Sequence, residues 1–339
     1  MKKKSIKIKF VDFWPTFDKK DNFITRVLSE RYEIEFSDEP EYLFYSCMGE
    51  EYLKYDCIRI FYTGENLRPD FNICDYAIGF DYIEFEDRYL RFPQFMLHEY
   101  DKDLESVINK QSQQVVSKDK KFCNFIYSNS ATSCPRGEFF EQLCKYKKVD
   151  SGGKYLNNID YVVDDKFEWQ TNYKFTIAFE NSSTNGYVTE KIFQAFSAGT
   201  IPIYWGNPRI AEDFNEKAFI NCHAYNSFDE VIEKVRELDQ NEEAYLEMLN
   251  QPVFNQKALD SYVKKEYLAD FLYHIVDQDM IKAKRIQHDF IWTQRAECIV
   301  KNSLRFNYIQ SRYNKKNIFV KIIVRLLMGK NWRGQKEWC

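Results

Sequence analysis

The sequence has few of the residues on which metal centres and disulfide-rich folds depend. Its 339 residues include only 4 His and 9 Cys, and neither type shows the HExxH or paired spacing of a zinc site. The odd number of scattered cysteines, with no CxxC pair, predicts a reduced, intracellular chain and not a disulfide scaffold. No Walker or glycine-rich dinucleotide motif occurs, so a phosphate site would have to be built in another way.

Long apolar segments are missing as well. No apolar stretch follows the basic residues at positions 2–9, so no signal peptide is predicted. No run approaches the roughly 18 residues of a membrane-spanning helix. Hydrophobic residues nevertheless make up 44% of the chain and aromatic residues 17%. That composition can bury a sizeable core, and the length suits two domains of ordinary size.

The formal net charge of −4 hides an uneven distribution along the chain. Residues 1–280 carry a net charge of −15, whereas residues 281–339 carry +11. A basic segment joined to an acidic body predicts a polyanionic partner, either membrane lipid or nucleic acid. Because no nucleic-acid-binding module is recognisable, nucleic acid is the less favoured partner.

The basic segment contains an amphipathic pattern. Between residues 317 and 328 apolar residues cover most of a predicted helix. Its narrow polar stripe is formed by Asn314, Asn317, Lys321 and Arg325. With Trp332 and Trp338 as interfacial residues, the pattern predicts a helix lying on an anionic membrane surface. The alternative is a helix that packs its apolar face on the body or on a second subunit.

Strand and helix signals alternate along the chain, which predicts α/β layers with a mostly parallel sheet. Strands are expected at 6–11, 32–36, 58–62, 76–80, 122–128, 175–179 and 201–205. Helices are expected at 23–29, 137–146, 189–198, 228–238, 242–249 and 262–276. With a polar linker at residues 98–121, the predicted organisation is one α/β domain at residues 1–115, a second at 116–280 and a basic helical tail at 281–339.

One strand–loop–helix–strand unit has the chemistry of a binding site. The strand Phe175–Phe179 leads through a polar loop into a helix that starts near Thr189. Free backbone N–H groups and the helix dipole at such a point favour an anion. Lys191 adds a charge suited to phosphate, and Asn181 and Glu190 are candidates to hold sugar hydroxyls. The alternative is an ordinary crossover with a surface ion pair.

Motifs in this unit resemble the donor site of the α-1,3/1,4-fucosyltransferases, glycosyltransferase family 10. They are Phe-Glu-Asn at 179–181, Gly-Tyr-Val-Thr-Glu-Lys at 186–191 and Pro-Ile-Tyr-Trp-Gly at 202–206. A second block, Phe-Tyr-Thr-Gly-Glu-Asn at 61–66, resembles the acceptor-domain motif of bacterial members.

The resemblance implies a GT-B architecture, with two Rossmann-like domains facing a cleft. The N-terminal domain would bind the acceptor, and the C-terminal domain the donor GDP-fucose. It also implies inverting transfer of L-fucose, in α-1,3 or α-1,4 linkage, to GlcNAc or Glc of a lactosamine-type or lipopolysaccharide glycan. No cofactor is required, although Mn or Mg could stimulate release of GDP. The expected location is the cytoplasmic side of the membrane. The alternatives are a transferase for another GDP-sugar and a non-catalytic glycan-binding protein at the membrane surface.

The resemblance also assigns roles to individual residues. Glu65 matches the general base, and Arg136 and Lys191 match residues that grip the diphosphate. The remaining donor contacts fall on Asn181, Tyr187 and Glu190.

Trp14 and an Asp-Gln-Asp motif are two further features of the sequence. Trp14, at the end of the first predicted strand, is a candidate to stack on an acceptor sugar, with core packing as the alternative. The Asp-Gln-Asp at 277–279 matches a metal–nucleotide signature, but it follows a helical pattern, so a solvated helix end is predicted and no metal ligand.

Overall fold

The computed structural model describes residues 3–97, 107, 120–130, 134–261, 266–287 and 290–314. The N-terminal part forms a six-stranded sheet in the order β2-β1-β3-β4-β5-β6, and every pair of neighbouring strands is parallel. Its strands are β1 (Lys4–Val11), β2 (Tyr32–Phe36), β3 (Tyr42–Tyr45), β4 (Ile58–Tyr62), β5 (Tyr76–Gly79) and β6 (Tyr89–Arg91).

The central strands are covered on both faces. All four residues of β3 and all five of β4 are buried, as expected for parallel strands between two layers. The first crossover is the helix α1 (Phe23–Arg31). Asn22 caps this helix, because its side chain accepts from the N–H groups of Ile24 and Thr25 while the Thr25 hydroxyl accepts from the N–H of Asn22. This capping box fixes where the helix begins.

The second half repeats the pattern with a five-stranded parallel sheet in the order β11-β10-β9-β7-β8. Its strands are β7 (Lys121–Phe125), β8 (Val149–Ser151), β9 (Tyr173–Phe179), β10 (Ile201–Trp205) and β11 (Ile220–Asn221). Its helices are α2 (Arg136–Tyr146), α3 (Lys166–Thr171), α4 (Glu190–Ser197), α5 (Phe228–Gln240), α6 (Glu242–Leu249) and α7 (Gln256–Ser261). The predicted α/β class with two Rossmann-like halves is confirmed.

The chain then returns to the N-terminal sheet through α8 (Glu266–Asp277), α9 (Met280–Ala283) and α10 (Ile291–Asn314). Leu268, Leu272 and Ile275 of α8 are buried in one cluster with side chains of β1. Asp277 ends α8 and accepts a hydrogen bond from the Tyr32 hydroxyl at 2.7 Å, and Asp279 caps α9. The Asp-Gln-Asp motif therefore lies at a helix end, as predicted.

The first part of the predicted tail packs on the body. Glu297 of α10 pairs with the buried Arg59 at 2.6 Å, and Ala296 and Val300 pack beside the N-terminal sheet. The apolar segment 317–328 lies outside the described residues, so the membrane anchor and the boundaries 1–115, 116–280 and 281–339 stay predictions. In the described ranges no helix has the length and apolar character needed to cross a bilayer.

Candidate active site

The candidate site lies at the carboxyl ends of three strands. β4 leads into the turn that contains Glu65, β9 leads into Glu180 and Asn181, and β10 leads into Gly206. In open parallel sheets ligands bind at this edge. The helix α4 begins beside it, at Glu190.

Two cavities at this edge share a wall formed by Asn181, Glu190 and Lys191. We call one the inner cavity; it has a volume of about 270 Å³ and is lined by the second half of the chain, including Arg136. We call the other the cleft cavity; it has a volume of about 240 Å³ and opens between the two halves. It is lined by Trp14, Met48, Thr63, Gly64, Glu65, Gln94, Asn181, Tyr187, Thr189, Glu190 and Lys191.

All seven residues proposed from the sequence therefore line one of these cavities or both. Arg136 lines the inner cavity, and Glu65, Tyr187 and Trp14 line the cleft cavity. Their placement is a fact of the structure, whereas their roles stay predictions.

Arg136 is a buried cation at the start of α2. Its Nη2 donates to Oδ1 of Asn181 at 2.8 Å, and its guanidinium lies 4.5 Å from the centre of the Tyr127 ring. The planar group is thus held on two sides beside the inner cavity. A fixed guanidinium of this kind suits the oxygen atoms of a phosphate.

Lys191 is held by a buried carboxylate that sequence reasoning did not select. Glu180 has no exposed surface and accepts from the Thr189 N–H at 2.8 Å, from the Thr189 hydroxyl at 2.7 Å and from Lys191 Nζ at 3.2 Å. Burial acts to lower the pKa of Lys191, but Glu180 and Glu190 outweigh it, so this pKa is raised. Lys191 therefore remains an ammonium ion, fixed at the start of α4.

Lys166 is a further cation at the inner cavity that sequence reasoning missed. It lies at the start of α3 and donates to the side-chain oxygen of Gln194 at 2.8 Å. Burial lowers the pKa of Lys166, so an added anion would stabilise its charged form. For Glu190 burial acts to raise the pKa, yet Lys191 and Lys166 outweigh it and hold the pKa below its usual value.

Glu65 faces the shared wall from the N-terminal half. It is exposed, and its N–H donates to the Thr63 hydroxyl at 3.0 Å, which fixes the turn after β4. Tyr187, from the second half, lines the same cleft cavity as Glu65. Burial, then Glu180 and more weakly Glu65, raise the pKa of Tyr187, so its phenol stays protonated and can donate a hydrogen bond.

The loop before α4 packs directly on the N-terminal half. Gly186 has a φ of 77°, and a Cβ atom there would come within 2.4 Å of the Phe80 carbonyl oxygen. Only glycine fits this position without strain. The Tyr187 ring meets the Phe80 ring edge-on at 5.3 Å. Asn66 adds hydrogen bonds to the hydroxyls of Ser182 and Thr184 at 2.6 and 2.7 Å.

Trp14 packs on aromatic neighbours and also borders a cavity, so its stacking on an acceptor sugar stays a prediction. Its ring packs on Phe13 and Phe17, with centroid distances of 5.6 and 5.0 Å, and it also lines the cleft cavity. Within the described ranges no group of three or more His, Cys, Asp or Glu side chains is placed to hold a metal ion. Independence of a metal cofactor stays a prediction.

Two parallel α/β halves that meet at a cleft, one with a cationic pocket and the other with a carboxylate, have the architecture of the GT-B class, although a fold alone does not assign an activity. Residues 8–98 match the family model described as the alpha-(1,3)-fucosyltransferase FucT N-terminal domain. Residues 115–285 match that of the glycosyltransferase family 10 (fucosyltransferase) C-terminal domain. The chain belongs to glycosyltransferase family 10, the fucosyltransferases.

Known relatives agree with this membership. The chain is 36% identical over 276 residues to the alpha-(1,3)-fucosyltransferase FucT of Helicobacter pylori. The aligned region covers 70% of this chain but only 57% of that relative's length. Solved structures of an alpha1,3-fucosyltransferase are also similar. The structure with GDP-fucose matches with a TM-score of 0.69 at 31% identity. The match covers 82% of this chain and 92% of the chain in that structure. A second structure matches with a TM-score of 0.71 at 30% identity, and the match covers 85% of this chain and 94% of the chain in that structure.

Proposed function

We propose that this protein transfers L-fucose from GDP-fucose to a hydroxyl of a glycan acceptor, with inversion at the anomeric carbon. One observation carries the proposal: the cavity lined by Arg136, Lys166 and Lys191 shares a wall with the cavity that contains Glu65. The inner cavity thus offers cations to a leaving diphosphate, and the neighbouring cleft cavity offers a base to an incoming hydroxyl. The solved relative that holds GDP-fucose supports the same donor.

The reaction follows from this arrangement. The diphosphate of the donor lies in the inner cavity, where Arg136 and Lys191 offset the charge that develops on the departing GDP. The acceptor hydroxyl enters the cleft cavity and gives its proton to the Glu65 carboxylate. Its oxygen attacks the anomeric carbon on the face opposite to GDP. The new glycosidic bond forms as the bond to GDP breaks, so the configuration inverts.

The shared wall positions the sugar being transferred. Asn181 and Glu190 offer an amide and an ionised carboxylate to fucose hydroxyls, and Tyr187 offers a phenolic O–H. Arg136 orients Asn181 through its hydrogen bond at 2.8 Å. Such fixed contacts keep the anomeric carbon between the two reacting groups.

For the acceptor, we propose GlcNAc or Glc of a lactosamine-type or lipopolysaccharide glycan, fucosylated in α-1,3 or α-1,4 linkage as in Lewis-type structures. The name of the Helicobacter pylori relative supports α-1,3 linkage. Trp14 supplies an aromatic face for the sugar at the mouth of the cleft cavity. The proposed location is the cytoplasmic face of the membrane, which the basic segment 281–339 supports through its net charge of +11.

Mass spectrometry tests the function. Purified protein is incubated with GDP-fucose and lactose, type 1 or type 2 glycans, and a parallel series replaces GDP-fucose with GDP-mannose. The proposal expects a gain of one deoxyhexose, with NMR giving the α configuration. Product on the type 2 glycan supports α-1,3 linkage, and product on the type 1 glycan supports α-1,4 linkage. Transfer from GDP-mannose alone favours another GDP-sugar, whereas glycan binding without transfer favours a non-catalytic protein.

A further inference from the structure

The turn that contains Glu65 is closed by two hydrogen bonds. The N–H of Glu65 donates to the Thr63 hydroxyl at 3.0 Å, and its carbonyl oxygen accepts from the N–H of Leu67 at 2.7 Å. Asn66 is therefore the central residue of a tight three-residue turn. Because the backbone of Glu65 is held on both sides, the position of Asn66 is fixed relative to it.

The side-chain amide of Asn66 reaches the second half of the chain. Its Nδ2 donates to the Ser182 hydroxyl at 2.6 Å and to the Thr184 hydroxyl at 2.7 Å. An asparagine amide has two N–H hydrogens, so this one uses both. One side chain of the N-terminal half thus joins two positions of the segment 182–187, which we call the donor loop.

The two acceptors lie beside residues of the proposed donor site. The first follows Asn181 directly in the chain. The second, Thr184, opens a turn in which its carbonyl oxygen accepts from the N–H of Tyr187 at 3.2 Å. Asn181 and Tyr187 line the cleft cavity together with Glu65. These hydrogen bonds therefore connect the turn of the proposed base with the segments that contain Asn181 and Tyr187.

Further contacts fix the donor loop on its own half. The Ser183 hydroxyl donates to the Gly206 carbonyl oxygen at 2.7 Å. The N–H of Gly186 donates to Oδ1 of the fully buried Asn207 at 2.8 Å. The donor loop is therefore held by the second half at two points, and Asn66 connects it to the N-terminal half.

The proposed reaction requires alignment across the cleft, because its participants come from different halves. Glu65 belongs to the N-terminal half, whereas the contacts for the donor sugar belong to the second half. A misplacement of about 1 Å between reacting groups can lower a rate by about 100-fold. The ion pair of Arg91 with Asp213 joins the halves through residues that line neither cavity. Alignment at the cleft itself therefore needs a contact of its own.

We propose that Asn66 is a positioning residue, which holds Glu65 at a fixed distance from the sugar being transferred by connecting the Glu65 turn to the donor loop. This inference rests on the proposed function and adds a residue to its machinery. Asn66 acts through its neighbours, because it lines neither the inner cavity nor the cleft cavity. Its loss should slow the chemical step and leave GDP binding, which depends on cations of the second half, unchanged.

Kinetics of Asn66→Ala test the proposal. The variant should lower kcat by about 10- to 100-fold, while the KM for GDP-fucose and the GDP affinity by calorimetry stay at the wild-type values. The matched control is Asn72→Ala, which removes an exposed amide of the same half that lines neither cavity. It should retain the wild-type kcat. This split between kcat and donor binding distinguishes positioning from a general loss of structure.

The same two hydrogen bonds can be removed from the opposite side of the cleft. Ser182→Ala and Thr184→Val, made together, should lower kcat as much as Asn66→Ala does. Combining all three substitutions should lower kcat no further, because each set removes the same interaction. The double variant also decides the question if Asn66→Ala does not fold.

Hydrogen exchange followed by mass spectrometry reports on the connection without any acceptor. Amides of the donor loop should exchange about tenfold faster in Asn66→Ala than in Asn72→Ala, because the loop loses two hydrogen bonds to the N-terminal half.

Four results would overturn the inference. They are a kcat of Asn66→Ala equal to that of Asn72→Ala, losses that add in the triple variant, equal exchange of the donor loop in the two single variants, and a loss of GDP affinity in proportion to kcat. The last would assign Asn66 to donor binding. If the wild type fucosylates no acceptor, the proposed function fails by itself, and equal exchange in the two variants would still refute the connection.

Discussion

Glu65 is an exposed carboxylate in a turn whose geometry is set by the Thr63 hydroxyl. Replacing it by glutamine keeps the shape of the side chain and removes its basicity. We expect Glu65→Gln to lower kcat by about 10²–10⁴-fold, the usual contribution of a positioned base. GDP affinity should stay at the wild-type value, because the diphosphate cations lie in the second half of the chain. Initial rates by mass spectrometry and GDP titration by calorimetry measure the two effects.

The control for this prediction is Glu84→Gln, which removes an exposed carboxylate of the same half that lines neither cavity. Its kcat should match that of the wild type. If Glu65→Gln retained the kcat of Glu84→Gln, the base would have to be another group.

Three cations face the inner cavity: Arg136, Lys166 and Lys191. A charge-assisted hydrogen bond contributes about 1.5–3 kcal/mol. Each alanine variant should therefore weaken GDP binding by roughly ten- to a hundred-fold. Calorimetry with GDP measures the loss, and Lys145→Ala, an exposed charge on the same helix as Arg136, should bind like the wild type.

Removing Lys191 also takes a partner from the buried Glu180, so the unfolding temperature of each variant is measured alongside. A folded variant with wild-type GDP affinity would remove that residue from the donor site.

At the residue scale the motifs predicted which side chains line the two cavities, but they did not predict what holds them. Glu180 stands next to Asn181 in the sequence, and only the fold shows that its carboxylate turns inward to Thr189 and Lys191. Lys166 is absent from the motifs because α3 reaches the inner cavity through tertiary packing alone. Packing of this kind leaves no periodic signal in the sequence.

At the element scale, strands with a clear apolar pattern were predicted nearly to the residue. β4 and β10 were expected at 58–62 and 201–205, and they are found there. The strands β3, β6, β8 and β11 were missed. β3 has only four residues, and the other three have two or three each. Such short elements are defined by their neighbours in the sheet.

The backbone at the end of β10 contacts the side chain of His223, and this contact makes stability depend on pH. Nε2 of His223 lies 3.0 Å from the Gly206 carbonyl oxygen, and its ring stacks on Trp205. Burial lowers the pKa of His223. At pH values between this lowered pKa and the ordinary histidine pKa of about 6.5, the unfolded chain binds more protons than the folded one. The contribution of His223 to stability is therefore complete above about pH 6.5 and is lost as the pH falls through that window.

We accordingly expect the free energy of unfolding, measured with urea, to fall from about pH 8 to about pH 5.5, and to fall less in His223→Gln. The control is His274→Gln, which alters a half-exposed histidine paired with Asp87 on the N-terminal half. An identical decrease in wild type and His223→Gln would show that His223 does not contribute to the pH dependence.

At the scale of the whole molecule, polar contacts join the two halves around the cleft. Arg91 of β6 forms two hydrogen bonds, at 3.0 and 2.8 Å, to the fully buried Asp213 of the second half. The two-sheet architecture could be predicted from alternating elements and family motifs. The return of α8 and α10 to the N-terminal sheet could not, because it depends on long-range partners such as Arg59 for Glu297.

The basic tail is the remaining prediction at this scale. Residues 313–339 carry a net charge of +6, and each basic residue near an anionic leaflet adds about 1 kcal/mol, weakened by salt. A chain ending at Arg312 keeps the contacts of Ala296, Glu297 and Val300 with the body. We therefore expect it to keep its fold and its activity on soluble acceptors, and to lose binding to anionic liposomes.

Co-sedimentation of the full chain and the truncated chain with liposomes measures this binding, and uncharged liposomes at the same low salt serve as the control. The full chain should pellet with anionic liposomes only, and added salt should release it, because a screened charge interaction is the expected cause. A full chain that stays in the supernatant with anionic liposomes at low salt would refute the anchor. If truncation after Arg312 instead lowered the unfolding temperature, the segment beyond it would be packing on the body or on a second subunit.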